Sequence, residues 1–216
     1  MIKTYHQPLL QACCLATALA FANSTSQAQN LLVDPGFETQ TGWTLFSGAQ
    51  YSQNFAHSGT WSMFDSAVNN VPGSFEQFAA SPGQQYDLTG FALTPAPLFG
   101  SPAFGILQLT YFDSANNNLG TVETSPGNAK TSGQINGGTT PGVWTFLDTG
   151  IATAPADTAY IQAFTLYVDF SGNNQGVYFD DLSLTQVTAT PEPASMALMG
   201  LGLLGICFSI RRRRYL

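Results

Sequence analysis

The chain has 216 residues, of which only 9% are charged: 6 Lys and Arg against 13 Asp and Glu, for a formal net charge of −7. A soluble domain ordinarily carries about 25% charged residues, and the acid excess excludes a nucleic-acid binder, which needs a basic stripe to neutralise phosphates. The cations are also sequestered: Lys3 stands near the start, Arg211 to Arg214 near the end, and Lys130 alone between them.

Residues 1–28 read as a secretory signal peptide. Lys3 and His6 make a short polar start, Leu9 to Ala22 is mostly apolar, and Ser26-Gln27-Ala28 supplies the small residues that signal peptidase reads, with cleavage expected after Ala28. Leu10-Gln11-Ala12-Cys13 is a poor lipoprotein box, because the apolar run follows this cysteine instead of preceding it. Residues 29–189 are one domain's worth of chain. Cys13, Cys14 and Cys207 all fall outside it, so the domain has neither disulfides nor thiolate-ligated zinc.

Within the domain, short aromatic and β-branched runs alternate with Gly, Pro, Asn and Ser clusters. Strands are predicted at Leu31–Val33, Trp43–Phe46, Trp61–Phe64, Ser74–Phe78, Tyr86–Leu93, Gly105–Phe112, Leu119–Glu123, Trp144–Asp148, Tyr160–Val168 and Val177–Val187. Turn signals such as Ser81-Pro82-Gly83, Asn116-Asn117-Asn118 and Pro141-Gly142 separate them, and Asn128 to Gly142 is a Gly, Thr and Ser-rich loop. No sustained helical period appears, so the expected class is all-β, a sandwich. Counting its twelve acids and one lysine, the domain alone carries −11.

The C-terminal residues 190–216 form a second address. Pro191-Glu192-Pro193 precedes Ala194 to Ile210, 17 residues without a charge, and then Arg211, Arg212, Arg213 and Arg214. As a helix the apolar stretch would span about 26 Å, close to the hydrocarbon thickness of a bilayer, with the arginines held on the cytoplasmic side. An ordinary single-pass anchor is one reading. The order Pro-Glu-Pro, apolar helix, Arg cluster also resembles the PEP-CTERM sorting signal of Gram-negative bacteria. That resemblance implies an exported exosortase substrate, inserted transiently in the inner membrane and then released or re-attached at the surface, in the company of exopolysaccharide.

A second resemblance runs through the domain. Asn30-Leu31-Leu32-Val33-Asp34-Pro35-Gly36-Phe37-Glu38 with Gly42-Trp43, then His57-Ser58-Gly59-Thr60, Phe75-Glu76-Gln77-Phe78 and Pro82-Gly83-Gln84-Gln85-Tyr86 follow one order. Tyr111-Phe112-Asp113 with Gly120, Trp144, Ala154 to Tyr160 and Tyr178-Phe179-Asp180-Asp181-Leu182-Ser183-Leu184 complete it. This series resembles carbohydrate-binding-module-like jelly rolls of the galactose-binding-like superfamily, which implies a jelly-roll β-sandwich and a structural calcium ion. The residues allow such an ion, since Ca²⁺ takes six to eight hard oxygen ligands. Glu38 and Asp180 are the expected ligands, with backbone oxygens near Asp34 and His57 to Thr60. In a regular strand Asp180 shares a face with Tyr178, Leu182 and Leu184, and Asp181 the other with Phe179 and Ser183.

The domain has one histidine, no cysteine, no arginine and no Gly-x-Ser-x-Gly elbow, and its acids are scattered, so no enzyme is expected. Binding of polysaccharide suits a domain rich in Tyr, Phe, Asn and Gln, because sugar rings stack on aromatics and sugar hydroxyls pair with amides. Phe91, Gln108, Tyr111 and Tyr167 are the expected ligand residues. Trp43, Trp61 and Trp144 match core positions of the jelly rolls. The alternative function is a structural or adhesive matrix protein with no sugar site.

Overall fold

The structure is a computed structural model and describes residues 29–98, 103–125, 133–170, 172 and 175–187. The expected signal peptide, the Pro191 to Arg214 tail and Lys130 lie outside the described residues.

Eleven strands appear among the described residues: β1 (Thr44–Phe46), β2 (Gln50–Ser52), β3 (Ser62–Ala67), β4 (Gly73–Ala79), β5 (Gln85–Leu93), β6 (Phe104–Phe112), β7 (Asn118–Glu123), β8 (Thr145–Asp148), β9 (Ala152–Thr153), β10 (Tyr160–Val168) and β11 (Gln175–Val187). They form two antiparallel sheets, one ordered β1-β4-β10-β6-β7 and the other β2-β3-β11-β5-β8, with β9 beside β5. This is the all-β jelly-roll sandwich that the sequence indicates. The expected strand at Leu31–Val33 is instead a single bridge between Asn30 and Thr185, and the short β2 and β9 carried too few residues to show a pattern.

Period-two alternation decides what each strand buries. On β6, Leu107, Leu109 and Tyr111 point between the sheets while Gln108 and Thr110 point out. Met63, Leu88, Leu147, Ile161, Phe179, Leu182 and Leu184 complete the interior, each side chain contributing about 1.5–3 kcal/mol by leaving water. Two glycines let the layers close. A Cβ on Gly105 would lie 2.9 Å from both methyls of Val177, and one on Gly90 would overlap Leu182 Cδ2. Trp43 is in this core and Trp61 packs against it. Trp144, by contrast, lies on the outside against His57.

The interior also holds carboxyls. Asp65 is completely buried on β3 with no hydrogen-bond partner at either oxygen. Thr165 is its polar neighbour, but the Thr165 hydroxyl is engaged with Ser74 Oγ at 2.8 Å. Burial pushes the Asp65 carboxyl up to about 7.

The N-terminal segment is fastened to β11 by one side chain. Asn30 Nδ2 donates to the Leu182 carbonyl (2.9 Å), and its Oδ1 accepts from the amides of Leu184 (3.0 Å) and Leu32 (3.2 Å). Leu31 N donates to the Leu184 carbonyl at 2.8 Å, so residues 29–31 run antiparallel to the end of β11. The chain therefore enters and leaves the sandwich at one pole.

Candidate functional site

Strand β11 is not regular where the acids lie. Its register against β5 shifts between Asp180, which pairs with Phe91, and Ser183, which pairs with Thr89. The extra residue is a β-bulge, and Asp181 sits in left-handed backbone with φ 47°. The bulge corrects the face assignment of a regular strand. Phe179, Leu182 and Leu184 all turn inward, while Tyr178 turns outward and stacks on Phe64 at 4.2 Å. Asp180 thus leaves the leucine face and is buried beneath the loops at 34–38 and 57–60.

Those loops bring the carboxylates of Asp180 and Asp181 beside the stem of Glu38. From the place where a Cβ on Gly36 would stand, Asp181 Oδ1 is 3.7 Å away, Asp180 Oδ1 3.8 Å and Glu38 Cγ 3.9 Å. Asp180 Oδ2 accepts from the amides of His57 (2.7 Å) and Ser58 (3.2 Å), and its Oδ1 accepts from the Asp181 amide (2.7 Å). Glu38 Oε1 accepts from Thr60 N (2.7 Å) and Trp61 N (2.9 Å). Burial nonetheless raises the Asp180 carboxyl to about 6, opposed by its three amide donors and assisted by the charge of Asp181. The two expected metal ligands, Glu38 and Asp180, therefore do converge on the His57–Thr60 loop. Among the described residues no three His, Cys, Asp or Glu side chains are placed to hold one ion between them, and no lysine or arginine is present. Oxygen donors without a cationic side chain fit a hard cation in kind, with backbone carbonyls needed to complete its shell.

The same loop resembles a catalytic arrangement only in composition. Asp181 Oδ2 meets His57 Nδ1 at 2.6 Å, and Asp181 Oδ1 accepts from Ser58 Oγ at 2.6 Å. Ser58 and His57 share an acceptor and are not hydrogen-bonded to each other, whereas a nucleophile needs its base within hydrogen-bond reach.

The four residues expected to hold sugar are not brought together. Tyr111 and Tyr167 are 2% and 0% exposed and lie between the sheets, so neither offers a ring face to a ligand. Burial raises both phenols to about 12. Phe91 is on the outer face of the six-stranded sheet and Gln108 on the outer face of the five-stranded one.

Around Gln108 the structure reveals a different constellation. Phe46, Phe75 and Phe164 from β1, β4 and β10 form a triangle with ring centroids 5.3–6.4 Å apart. Four residues along β10, about 13 Å away, Tyr160 stacks on Phe112 at 4.9 Å. Between these ring groups runs an uncharged amide and hydroxyl band in one register: Gln77, Gln162, Thr110 and Thr121. Gln162 Nε2 donates to Gln77 Oε1 (3.1 Å) and Gln108 Nε2 to Thr110 Oγ1 (3.0 Å). Strand parity carried the signal: Leu107 and Leu109 fix Gln108 and Thr110 as outward, and register then adds Gln162 and Gln77.

These features define an all-β jelly-roll sandwich. Residues 189–214 match the PEP-CTERM protein-sorting motif, which indicates an exported, exosortase-processed protein. No curated protein sequence matches the chain. Among solved structures, a family 16 carbohydrate-binding module is similar at 20% identity and TM-score 0.52, covering 72% of this chain and 99% of that one. The enzymatically active domain of tailspike protein 4 of bacteriophage CBA120 is similar at 11% identity and TM-score 0.52. That match covers 73% of this chain, which spans only 21% of the tailspike. Both similarities concern the fold.

Proposed function

We propose that the domain is a non-catalytic binding module that holds a neutral polysaccharide of the extracellular matrix on the outer face of its five-stranded sheet. The observation that carries this reading is the pair of ring groups flanking the Gln77–Gln162 band. Pyranose C–H faces pack on aromatic rings, and amides answer sugar hydroxyls as both donors and acceptors. The fold shared with a family 16 carbohydrate-binding module supports it. No lysine or arginine among the described residues offers an anionic sugar a counter-charge.

Affinity electrophoresis of the purified full chain through gels containing xylan, β-1,4-galactan or glucomannan tests the reading. Retardation by at least one polymer, weakened about tenfold by Phe164→Ala or Gln162→Ala, is the expected result. Unretarded migration in every neutral and acidic polysaccharide would replace it with the structural matrix role.

We propose further that Ca²⁺ is held by Glu38 and Asp180 with carbonyl oxygens of the 57–60 loop, fixing that loop to the β11 bulge. That Glu38 and Asp180 both accept from backbone amides of residues 57–61 supports this. Asp181, tied to His57 and Ser58, acts as the brace beside the ion.

A further inference from the structure

The segment 33–43 closes one edge of the sandwich over two acids that the sites above do not use. On β4, Glu76 shares the inward parity of Ser74. It lies one residue past the last pairing of β4 with β1, Thr44 with Phe75, where the segment takes over as cover. There Glu76 Oε2 accepts from Val33 N at 3.1 Å. Asp34, itself buried, ties the segment into a loop: its Oδ2 accepts from Thr39 N (3.1 Å) and Thr41 N (3.4 Å), and its Oδ1 from Thr39 N (3.3 Å). From the other sheet comes Tyr51 of β2, which pairs with the inward-facing Met63 and sets its ring 6.4 Å from Phe37. Burial raises the Tyr51 phenol, and the charges of Asp34 and Glu76 raise it further, so the phenol and both carboxyls share one recess.

One oxygen in this recess has nothing to bind. Glu76 is 3% exposed, and its Oε1 is buried without a hydrogen-bond partner. The exposed Gly42, at φ 84°, passes directly over that oxygen: a Cβ there would stand 2.8 Å from it, so only glycine leaves the approach open. Burial lifts the Glu76 carboxyl above its usual range, against the amides of Val33 and Asp34, and the charge of Asp34 adds to the rise. No lysine or arginine among the described residues compensates the pair, and His57 is engaged by Asp181. A water molecule would satisfy Oε1 and still leave two buried like charges side by side. A cation answers both needs. Two carboxylates with water in the remaining positions are the way Mg²⁺ is commonly held, whereas Ca²⁺ asks for a fuller cage of oxygens.

We propose that Glu76 and Asp34 hold a small hard divalent cation, Mg²⁺ or Mn²⁺, beneath Gly42, separate from the Ca²⁺ at Glu38 and Asp180. The ion fastens the 33–43 loop to β4 at the edge where the two sheets would otherwise part, in a domain that has no cysteine to staple it. This site is independent of the sugar reading of the five-stranded face.

The test is titration of the purified full chain with Mn²⁺, followed by electron paramagnetic resonance, in which the signal of the free hydrated ion disappears on binding. Two backgrounds keep the proposed Ca²⁺ site silent: the Glu38→Gln variant, and wild type saturated with Ca²⁺. The expected result in both is one Mn²⁺ bound per chain and released by competing Mg²⁺. Glu76→Gln and Asp34→Asn, each introduced into the two backgrounds, keep the side-chain shapes and are expected to abolish that binding. The thermal transition of each variant should persist in metal-free buffer, because each removes a buried charge and no packing. No Mn²⁺ bound in either background overturns the site. Binding at unchanged affinity in both Glu76→Gln and Asp34→Asn puts the ion elsewhere and overturns this location.

Discussion

The completely buried Asp65 makes the stability of the sandwich depend on pH in a calculable way. In the unfolded chain this carboxyl titrates near 3.8, and in the folded protein near 7. Between those values the folded state keeps a proton that the unfolded state releases, so the unfolded state binds fewer protons and stability falls as pH rises. The contribution is fully present below about pH 4 and is lost by pH 7–8. Three pH units at about 1.4 kcal/mol each give a loss on the order of 4 kcal/mol. Asp65→Asn keeps the shape, removes the titration, and supplies an amide that can donate toward Thr165. Urea unfolding of the purified protein, followed by tryptophan fluorescence from pH 4 to pH 8, should show the wild type weakening relative to Asp65→Asn as pH rises. Asp180 and Asp87 are raised too and slope the same way in both proteins, so the difference between the two curves isolates Asp65. Parallel curves would refute the reasoning and mean that the residue is solvated or already ionised in the fold.

The calcium proposal predicts that saturating Ca²⁺, at about 100 times its Kd, stabilises the protein by about 2.7 kcal/mol. EDTA should reverse the rise in Tm, and Glu38→Gln should abolish it; an EDTA-insensitive wild type rules the ion out. Asn30→Ala removes three hydrogen bonds that close the N-terminal segment on β11. It is expected to cost about 1–3 kcal/mol in urea unfolding, whereas an unchanged midpoint would mean that backbone pairing alone holds the segment. Gly90→Ala drives a methyl into Leu182 between the layers, for an expected loss of about 1–3 kcal/mol, and a Tm equal to wild type would show that Leu182 has room to move.

Composition and turn spacing made the sandwich legible, because aromatic and β-branched runs of five to nine residues have few other ways to bury one face. What they hid was direction. Tyr111 and Tyr167 have the composition of sugar platforms, yet each shares parity with residues that enter the core: Leu107 and Leu109 for the first, Ile161 and Ala163 for the second. The parity of Tyr167 is blurred in the sequence because Thr165 points inward and Leu166 outward. The bulge at Asp181 was illegible for a related reason: alternation presumes an unbroken ladder, and one inserted residue reverses every assignment on one side of it. Glu38 and Asp180 stand in short motifs that single them out in the sequence, and the fold sets both against the 57–61 segment. The Gln77–Gln162 pair is separated by 85 residues in the chain and becomes visible only through the β4–β10 register.

The shared pole of entry and exit leaves the opposite pole free of both chain ends. Because Gln29 and Val187 lie at one pole, a tether beyond Val187 attaches at the same end of the sandwich as the N-terminal segment. β11 rises from that point for 13 residues, about 43 Å. Both broad sheet faces lie along the strands and away from that attachment point. A polymer can therefore reach either face without crossing the point of attachment.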